Sequence, residues 1–397
     1  MPRFSAHYIF TGNGTILEKG IVVLTDQGVV ADIIDTNGHF EESAGVEFYS
    51  GVIIPGFVNA HCHLELSHLR STFREKSGLP EFLKNVAARR NQDDSGVLVE
   101  ARNADDELWR NGVVAVGDIS NTNATFPIKS KSKITYHTFV EALGFSPQRA
   151  DKAFEVANQY FDEAQERGLS ASIVPHSPYS ISKELFGKIA SFAISKSSVL
   201  SMHSQECSAE DDLFRSGKGD IYRHLTENLS LDLSSFNPTG NGALESVIEW
   251  LPKENKLLLI HNIRTGQLDI DMISRTRALK QTWFVLCPGS NLFIENLLPD
   301  IELFRKNKLQ ICLGTDSLSS NHKLSILEEM KTIQSHFPSI HLGEIVMWAT
   351  SNGARALEMD SWAGTIEIGK KPGINLITGM DLQNLRLKPQ SRIKKLM

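Results

Sequence analysis

The feature that most constrains the fold is a regular alternation between short β-branched runs and longer segments of helical character. Segments such as 150–167 and 323–336 have the composition of helices. Strand alternating with helix favours a parallel sheet, and eight such units predict an α/β fold, a (β/α)8 TIM barrel. The eight predicted strands are 52–54, 113–116, 134–140, 172–174, 198–202, 257–260, 283–286 and 309–313.

The two ends of the chain depart from this pattern, because both are rich in short strands and turns. The runs 21–24 and 29–34 are bounded by glycine and aspartate, and residues 363–377 return to the same character. We predict that residues 1–51 and 360–397 form one composite β-domain, a small β-sandwich, beside a barrel of residues 52–359. Two unrelated flanking hairpins are the alternative.

Composition and charge limit the compartment and the partners. No stretch approaches 18 consecutive apolar residues, and the first residues lack the apolar core of a signal peptide. Four scattered cysteines without a CxxC pair favour a reducing cytoplasm. The formal net charge is −6 and there is no long basic run. We expect a cytoplasmic protein that binds a small molecule rather than nucleic acid or a membrane.

Histidines and acidic residues follow the predicted strands at the positions where barrel enzymes place their active sites. Five of the 13 histidines lie there, and the others, including His68 and His224, are expected at the surface. In a strand, His61 and His63 point to the same side, so both can reach one metal ion while Cys62 faces the helices. The strand-end residues are His61, His63, His176, His203, Glu206, His261 and Asp316.

Five stretches of the chain carry a resemblance to a known family. Residues 55–65, PGFVNAHCHLE, resemble the first-strand signature of the amidohydrolase superfamily. Residues 175–180, 203–206, 287–292 and 314–321 resemble its fourth-, fifth-, seventh- and eighth-strand segments in the deaminase/chlorohydrolase branch. Adenosine, guanine, S-adenosylhomocysteine and aminodeoxyfutalosine deaminases are the most similar groups. One departure is Gly289, since aminodeoxyfutalosine-type relatives often have a basic residue there.

The resemblance implies a metal site at His61, His63, His203 and Asp316. Three nitrogens and one carboxylate suit Zn²⁺ with a water in the open position, and Fe²⁺ would also fit. The alternatives are a core histidine at 203 and a helix cap at Asp316. No lysine ends the third or fourth strand, where binuclear relatives carry a bridging lysine, so one divalent ion is expected.

The resemblance also implies a catalytic or substrate-binding role for each candidate residue. Asp316 would take a proton from the attacking water, and His261 would stabilise the oxygen that adds to the ring. Glu206 would protonate a ring nitrogen and then the departing ammonia. Substrate contacts are expected at His176, Glu65, Glu141 and Ser317, although Glu141 could instead orient a ligand.

We therefore expect a metal-dependent hydrolytic deaminase of an aminated purine-like heterocycle or nucleoside, with aminodeoxyfutalosine among the candidate substrates. The alternatives are a ring-opening amidohydrolase of the imidazolonepropionase type and a triazine chlorohydrolase, neither of which would release ammonia. A metal-free binding protein that kept the barrel is a further alternative. Homodimers are common among such relatives, so a homodimer is a candidate assembly.

Overall fold

The computed structural model of the chain describes residues 1–40, 44–90, 94–234 and 236–397. The strands among these residues are β1 (Arg3–Phe10), β2 (Ile16–Glu18), β3 (Ile21–Leu24), β4 (Val30–Ile34), β5 (Val46–Pro55), β6 (Phe57–Cys62), β7 (Val113–Ser120), β8 (Thr135–Ala142), β9 (Ser170–Pro175), β10 (Leu200–Ser204), β11 (Leu257–His261), β12 (Thr282–Leu286), β13 (Gln310–Leu313), β14 (Ile374–Thr378) and β15 (Arg392–Lys395).

The helices alternate with the parallel strands, as the sequence pattern predicts. The helix predicted at 150–167 is confirmed, since the observed helix spans Ala150–Glu166. The helix predicted from 323 begins later, at Ile326, because the side chain of Ser325 accepts the backbone N–H of Glu328 and caps the helix there. No helix in the described ranges has the length and apolar character to span a lipid bilayer. The helices are α1 (Leu79–Arg89), α2 (Asp94–Arg110), α3 (Phe126–Lys129), α4 (Ala150–Glu166), α5 (Lys183–Lys196), α6 (Ser208–Ser216), α7 (Asp220–Arg223), α8 (Ala243–Val247), α9 (Gln267–Thr276), α10 (Pro288–Ile294), α11 (Ile301–Lys306), α12 (Ile326–His336), α13 (Leu342–Ala349) and α14 (Ser351–Ala356).

Two four-stranded parallel sheets, β6–β9 and β10–β13, form the centre of the molecule. Every residue of β6, β7, β11 and β12 is buried, as expected where helices cover a parallel sheet. Backbone hydrogen bonds join the sheets at both edges. The N–H of His203 donates to the carbonyl of His176 (2.9 Å), and the N–H of Asp316 donates to the carbonyl of His61 (3.0 Å). The result is a TIM-barrel-like α/β fold.

The first parallel strand lies later in the chain than the sequence pattern predicts. Residues 52–54 belong to β5, which pairs with β1 and with β14, whereas β6 begins at Phe57. The chain passes between the sheets at Gly56, where a Cβ atom would lie 2.5 Å from the carbonyl oxygen of Pro372. The two apolar runs are adjacent in sequence, so hydrophobicity alone does not separate them. The other seven predicted strands overlap β7 to β13.

The two ends of the chain meet in one seven-stranded sheet. Strand β5 lies between β1 from the N-terminal segment and β14 from the C-terminal segment, so the ends are not separate hairpins. This sheet has a small core of its own, which includes Phe4, Ile9 and Leu376. Strand β5 also crosses positions 51 and 52, where the sequence suggested a division between domains.

Candidate active site

Three histidines and one aspartate converge at the carboxyl ends of the parallel strands. His61 lies in β6, His63 follows it, His203 lies in β10 and Asp316 follows β13. The Oδ1 atom of Asp316 lies 3.6 Å from Nε2 of His61 and 3.5 Å from Nε2 of His63. The Nε2 atoms of His63 and His203 are 3.2 Å apart. The structure therefore brings all four predicted ligands together, in two overlapping triads, His61–His63–Asp316 and His61–His203–His261.

The hydrogen bonding around this cluster fits a bound cation. Both ring nitrogens of His61 and Nδ1 of His63 are buried without a partner among the described residues. Unpaired buried polar atoms are costly, and a metal ion would give the ring lone pairs a partner. Three imidazole nitrogens and one carboxylate oxygen are a donor set that suits a divalent transition ion. The residues present thus fit the metal that the sequence predicts.

Asp316 is held so that one carboxylate oxygen faces the histidines. Its Oδ2 atom accepts hydrogen bonds from the hydroxyls of Ser290 (2.6 Å) and Ser320 (2.7 Å), which leaves Oδ1 for the cluster. Burial opposes ionisation of this carboxyl, but the neighbouring imidazoles of His61, His63 and His261 hold its pKa well below the usual range. Asp316 is therefore a charged carboxylate that faces the histidines, and the helix that follows it, α12, is capped by Ser325 instead.

His203 is oriented from behind by two acceptors. Its Nδ1 donates to the carbonyl of His176 at 2.9 Å and lies 3.4 Å from Oε1 of Glu141, so Nε2 is the nitrogen that carries the lone pair whenever the ring is neutral. Burial lowers the pKa of His203, yet the hydrogen bond and charge of Glu141 outweigh it and raise that pKa to about 9. Burial likewise opposes ionisation of Glu141, but His176 and His203 hold its pKa far below the usual range. The ionised carboxylates of Glu141 and Asp316 therefore favour a positive charge at the histidine cluster.

Glu206 and His261 face each other beside the cluster. Oε2 of Glu206 lies 3.6 Å from Nε2 of His261, and both side chains are buried. Nδ1 of His261 donates to Oδ1 of Asn291 at 2.8 Å, which fixes the ring and directs Nε2 toward Glu206. Burial raises the pKa of Glu206 well above its usual range, as a proton donor requires. Burial also lowers the pKa of His261, to about 3.

A second buried carboxylate holds the backbone under Glu206. Glu210, in the first turn of α6, accepts the backbone N–H groups of Gln205 (3.3 Å), Glu206 (2.6 Å) and Cys207 (3.2 Å). This is the reciprocal half of a capping box, in which a carboxylate satisfies the donors at the start of a helix. Glu206 is therefore fixed at its backbone as well as at its side chain.

A cavity of about 320 Å³ opens above these residues. Of the predicted substrate contacts, His176, Glu141 and Ser317 line it. Helix α1 provides an apolar wall that includes Phe82 and Val86. The volume suits a small organic ligand, and the mixture of apolar walls with a few polar groups is typical of binding sites for such molecules.

Glu65 is the predicted substrate contact that the structure does not bring to this cavity. Its Oε1 accepts from Arg90 (2.9 Å), and its Oε2 accepts from the backbone N–H groups of Asn121 (3.2 Å) and Thr122 (3.3 Å). Arg90 and Asn121 line the cavity in its place, and Asn121 also donates to Oε2 of Glu141 at 2.7 Å. Glu65 therefore supports the cavity wall from behind.

The sequence pattern did not predict several of the residues found at the site. Asn121 directly follows β7, so the strand-end rule could have found it, whereas Arg90 follows the helix α1 and carries no such signal. His224 was expected at the surface, yet only 5% of it is exposed and it lines the cavity. Asp118 is a further buried residue: it accepts the backbone N–H of Leu64 at 2.8 Å and pairs with the buried Lys129, which anchors the chain after His63.

Comparison with known proteins identifies the family. Residues 52–396 match the model of the amidohydrolase family. The chain is 27% identical to an adenosine deaminase of Helicobacter pylori, over 89% of this chain and 87% of that protein. It is 27% identical to an aminodeoxyfutalosine deaminase of Nitratiruptor sp., over 90% of each chain. The solved aminofutalosine deaminase of Helicobacter pylori, in complex with methylthio-coformycin, superposes with a TM-score of 0.80 at 25% identity, over 96% of this chain and 93% of that one. The chain belongs to the amidohydrolase family and is a hydrolase that acts on carbon–nitrogen bonds.

Proposed function

We propose that this chain is a metal-dependent deaminase that hydrolyses an aminated purine-like nucleoside and releases ammonia. The observation that carries the proposal is the pairing of Glu206 with His261, 3.6 Å apart, beside a cluster of metal-ligand type inside a cavity. Deamination needs a proton donor for the ring nitrogen and the leaving amine, and a buried carboxyl of raised pKa provides one. The relatives named as adenosine and aminodeoxyfutalosine deaminases support the same reaction.

The residues that would hold the metal are His61, His63, His203 and Asp316. A divalent ion bound there supplies a water molecule whose pKa is lowered toward neutrality. The donor set supports Zn²⁺, and Fe²⁺ is the alternative ion. Glu141 would act behind His203 as an orienting partner, since its Oε1 lies 3.4 Å from Nδ1 of that ring.

The remaining side chains divide the proton transfers between them. Asp316, with Ser290 and Ser320 on its Oδ2, accepts a proton at Oδ1 from the attacking water. His261, fixed by Asn291, faces the oxygen that adds to the ring carbon; its neutral imidazole carries the lone pair on Nε2, so it would accept a hydrogen bond from the O–H of that oxygen and hold it in place. Glu206 gives its proton to the neighbouring ring nitrogen. It then takes the proton of the newly added hydroxyl and passes it to the amine, which leaves as ammonia as the carbonyl forms.

The proposal includes the finer architecture and setting of the enzyme. The backbone hydrogen bonds at both seams support a closed eight-stranded barrel, and the core formed by Phe4, Ile9 and Leu376 supports a small β-sandwich built from both ends. The division at residues 1–51, 52–359 and 360–397 stays a proposal, with β5 crossing its first boundary. The partner is a small molecule rather than nucleic acid or a membrane, the compartment is the cytoplasm, and a homodimer is the candidate assembly.

Ammonia release by zinc-loaded protein tests the proposal. The panel contains adenosine, guanine, S-adenosylhomocysteine, methylthioadenosine, aminodeoxyfutalosine and cytosine, each with metal content measured on the same sample. Rapid release from one nucleoside supports deamination and identifies the substrate class. Metal-bound protein that releases no ammonia from any compound would favour a ring-opening or halide-removing hydrolase. Protein that binds no metal after loading would favour the metal-free binding protein.

A further inference from the structure

Helix α10 carries two of the side chains that hold the catalytic groups in place. Ser290 donates to Oδ2 of Asp316 at 2.6 Å, and Asn291 accepts the N–H of the His261 ring at 2.8 Å. Ser290 and Asn291 are both buried and lie near the start of the helix. The positions of the Asp316 carboxylate and the His261 ring therefore depend on where this helix begins.

The start of α10 is bound by the carboxyl group of Glu329, which lies in α12. Oε2 of Glu329 accepts the backbone N–H of Gly289 at 2.6 Å. This N–H belongs to the first turn of α10, where backbone donors have no partner within the helix. Only 1% of Glu329 is exposed, and a glutamate is rarely buried so fully unless its carboxyl is paired. A side chain from one helix thus fixes the beginning of another.

The other oxygen of Glu329 binds the loop that follows β13, on the opposite side of Asp316. Oε1 accepts the side-chain amide of Asn321 at 2.8 Å, and the same amide donates to the carbonyl of Thr315 at 2.9 Å. This loop also carries Ser320, the second hydroxyl that donates to Oδ2 of Asp316. One carboxyl group therefore ties together the two segments that supply hydrogen bonds to Asp316, although Glu329 does not itself line the cavity.

The approach of Glu329 leaves no room for a side chain at position 289. A Cβ atom there would lie 2.8 Å from Oε1 of Glu329 and 2.6 Å from Nδ2 of Asn321. Non-bonded heavy atoms prefer separations of about 3.5–4.0 Å. The glycine that departs from the pattern of aminodeoxyfutalosine-type relatives is therefore the residue that lets this carboxyl reach the helix.

We propose that Glu329 is a positioning residue of the catalytic centre, which fixes the start of α10 and the loop after β13 and, through them, Asp316 and His261. Burial raises the pKa of Glu329 to about 8, but each carboxyl oxygen accepts a hydrogen bond whether or not the group is ionised. The amide nitrogen of a glutamine can only donate. The inference rests on the proposed deaminase function, because that function assigns Asp316 and His261 their roles.

Visible spectra of Co²⁺-loaded protein and steady-state kinetics test this inference. Glu329→Gln keeps the size of the side chain but leaves either Gly289 or Asn321 without an acceptor. Metal content should stay at the wild-type level, while the Co²⁺ absorption should shift because it follows the arrangement of the ligands. For a nucleoside that the wild type deaminates, kcat should fall roughly tenfold to 10²-fold and KM should change less than about twofold. Glu328→Gln is the matched control, since this neighbour in α12 pairs with Lys331 instead, and it should behave as the wild type.

A double-mutant cycle separates positioning from a general loss of stability. Asn291→Ala removes the partner of His261, so part of the effect of Glu329→Gln should already be lost in that background. The fall in kcat of the double variant should therefore be smaller than the product of the two single falls. A fall equal to the full product overturns the inference while the deaminase function stands, as does Glu329→Gln with the Co²⁺ spectrum and kcat of Glu328→Gln. Wild-type protein that deaminates no nucleoside overturns the function, and the Co²⁺ spectra then still decide whether Glu329 positions Asp316.

Discussion

The close approach of β13 to β6 makes Gly314 the position where the smallest substitution should do the most damage to the site. A Cβ atom at 314 would lie 2.8 Å from Cβ of His61, 2.9 Å from its carbonyl oxygen and 3.0 Å from its backbone nitrogen. These distances are roughly 0.5–1 Å shorter than the contact distance of about 3.5–4.0 Å between non-bonded heavy atoms. Two of the three neighbours are backbone atoms of a central strand, so they cannot move away as a flexible side chain would.

The expected cost of Gly314→Ala follows from this geometry. Overpacking of a close-packed interior costs about 1–3 kcal/mol of folding free energy. The same shift separates His61 from Asp316, whose backbone N–H donates to the carbonyl of His61 at 3.0 Å. A displacement of about 1 Å in a catalytic constellation lowers the rate by roughly 10²-fold. We expect weaker metal binding and a fall in kcat/KM of that order, with a smaller loss of thermal stability.

The assay is metal content after dialysis against a competing chelator, combined with ammonia release and thermal unfolding of the same samples. Gly187→Ala is the matched control, because Gly187 lies within α5 and a Cβ atom there meets no atom within 4 Å. That variant should be neutral or slightly stabilised, since alanine favours helix over glycine. Metal affinity and turnover of Gly314→Ala equal to those of Gly187→Ala would refute the reasoning from close approach.

Three further outcomes follow from the site. His203→Ala should lose bound metal and activity together, and retention of the metal would contradict its assignment as a ligand. Glu206→Gln should keep the metal and lower kcat by roughly 10²–10⁴-fold, whereas normal turnover would exclude the proton-transfer role. Burial raises the pKa of Glu329 from 4.5 to about 8, so the folded state keeps a proton that the unfolded chain releases. Its stabilising contribution is therefore full at low pH and is lost as the pH rises through about 8. Urea unfolding of wild type and Glu329→Gln between about pH 5 and about pH 9 should show this as a changing difference in unfolding free energy, and a constant difference would contradict it.

The fold could be predicted largely because its signal is local. The spacing of apolar residues within a short segment indicates which side chains are buried, and hence whether the segment is a strand or a helix. Seven of the eight predicted strands therefore overlap strands of the parallel sheets. The exception at residues 52–54 has a physical cause: β5 and β6 are both buried and are separated only by Gly56, so the pattern cannot distinguish the terminal sheet from the central one. The choice depends on pairing with β1 and β14, which are distant in sequence.

The convergence of the four residues predicted as ligands could be foreseen for a related reason, since strand ends of a parallel sheet meet at one edge. The sequence could not predict that Arg90 and His224 line the cavity, because each reaches it from a helix end or a turn whose placement depends on tertiary packing. The same limit explains Glu65, which follows the His61–His63 strand in sequence but lies in the 3₁₀ turn Leu64–Leu69 and is bound by Arg90 and Asn121. Position in sequence predicts that a side chain is near a site, but not which of two neighbours contacts the ligand.

Backbone conformation gives independent support for the assigned side chains, of a kind that no sequence pattern provides. Gln205, His261 and Asp316 all have positive φ angles, of 52°, 73° and 58°, at or just beyond the ends of their strands. Glycine adopts this conformation freely, whereas other residues pay about 1–3 kcal/mol for it in sparsely populated regions. His261 and Asp316 line the cavity, so the strain at these two positions is best explained by a need for their side chains. His261 and Asp316 face the cluster, and Gln205 accepts the hydroxyl of Thr265 at 2.6 Å beside the backbone of Glu206. At His261 and Asp316 the strain therefore falls on residues that the proposed chemistry requires.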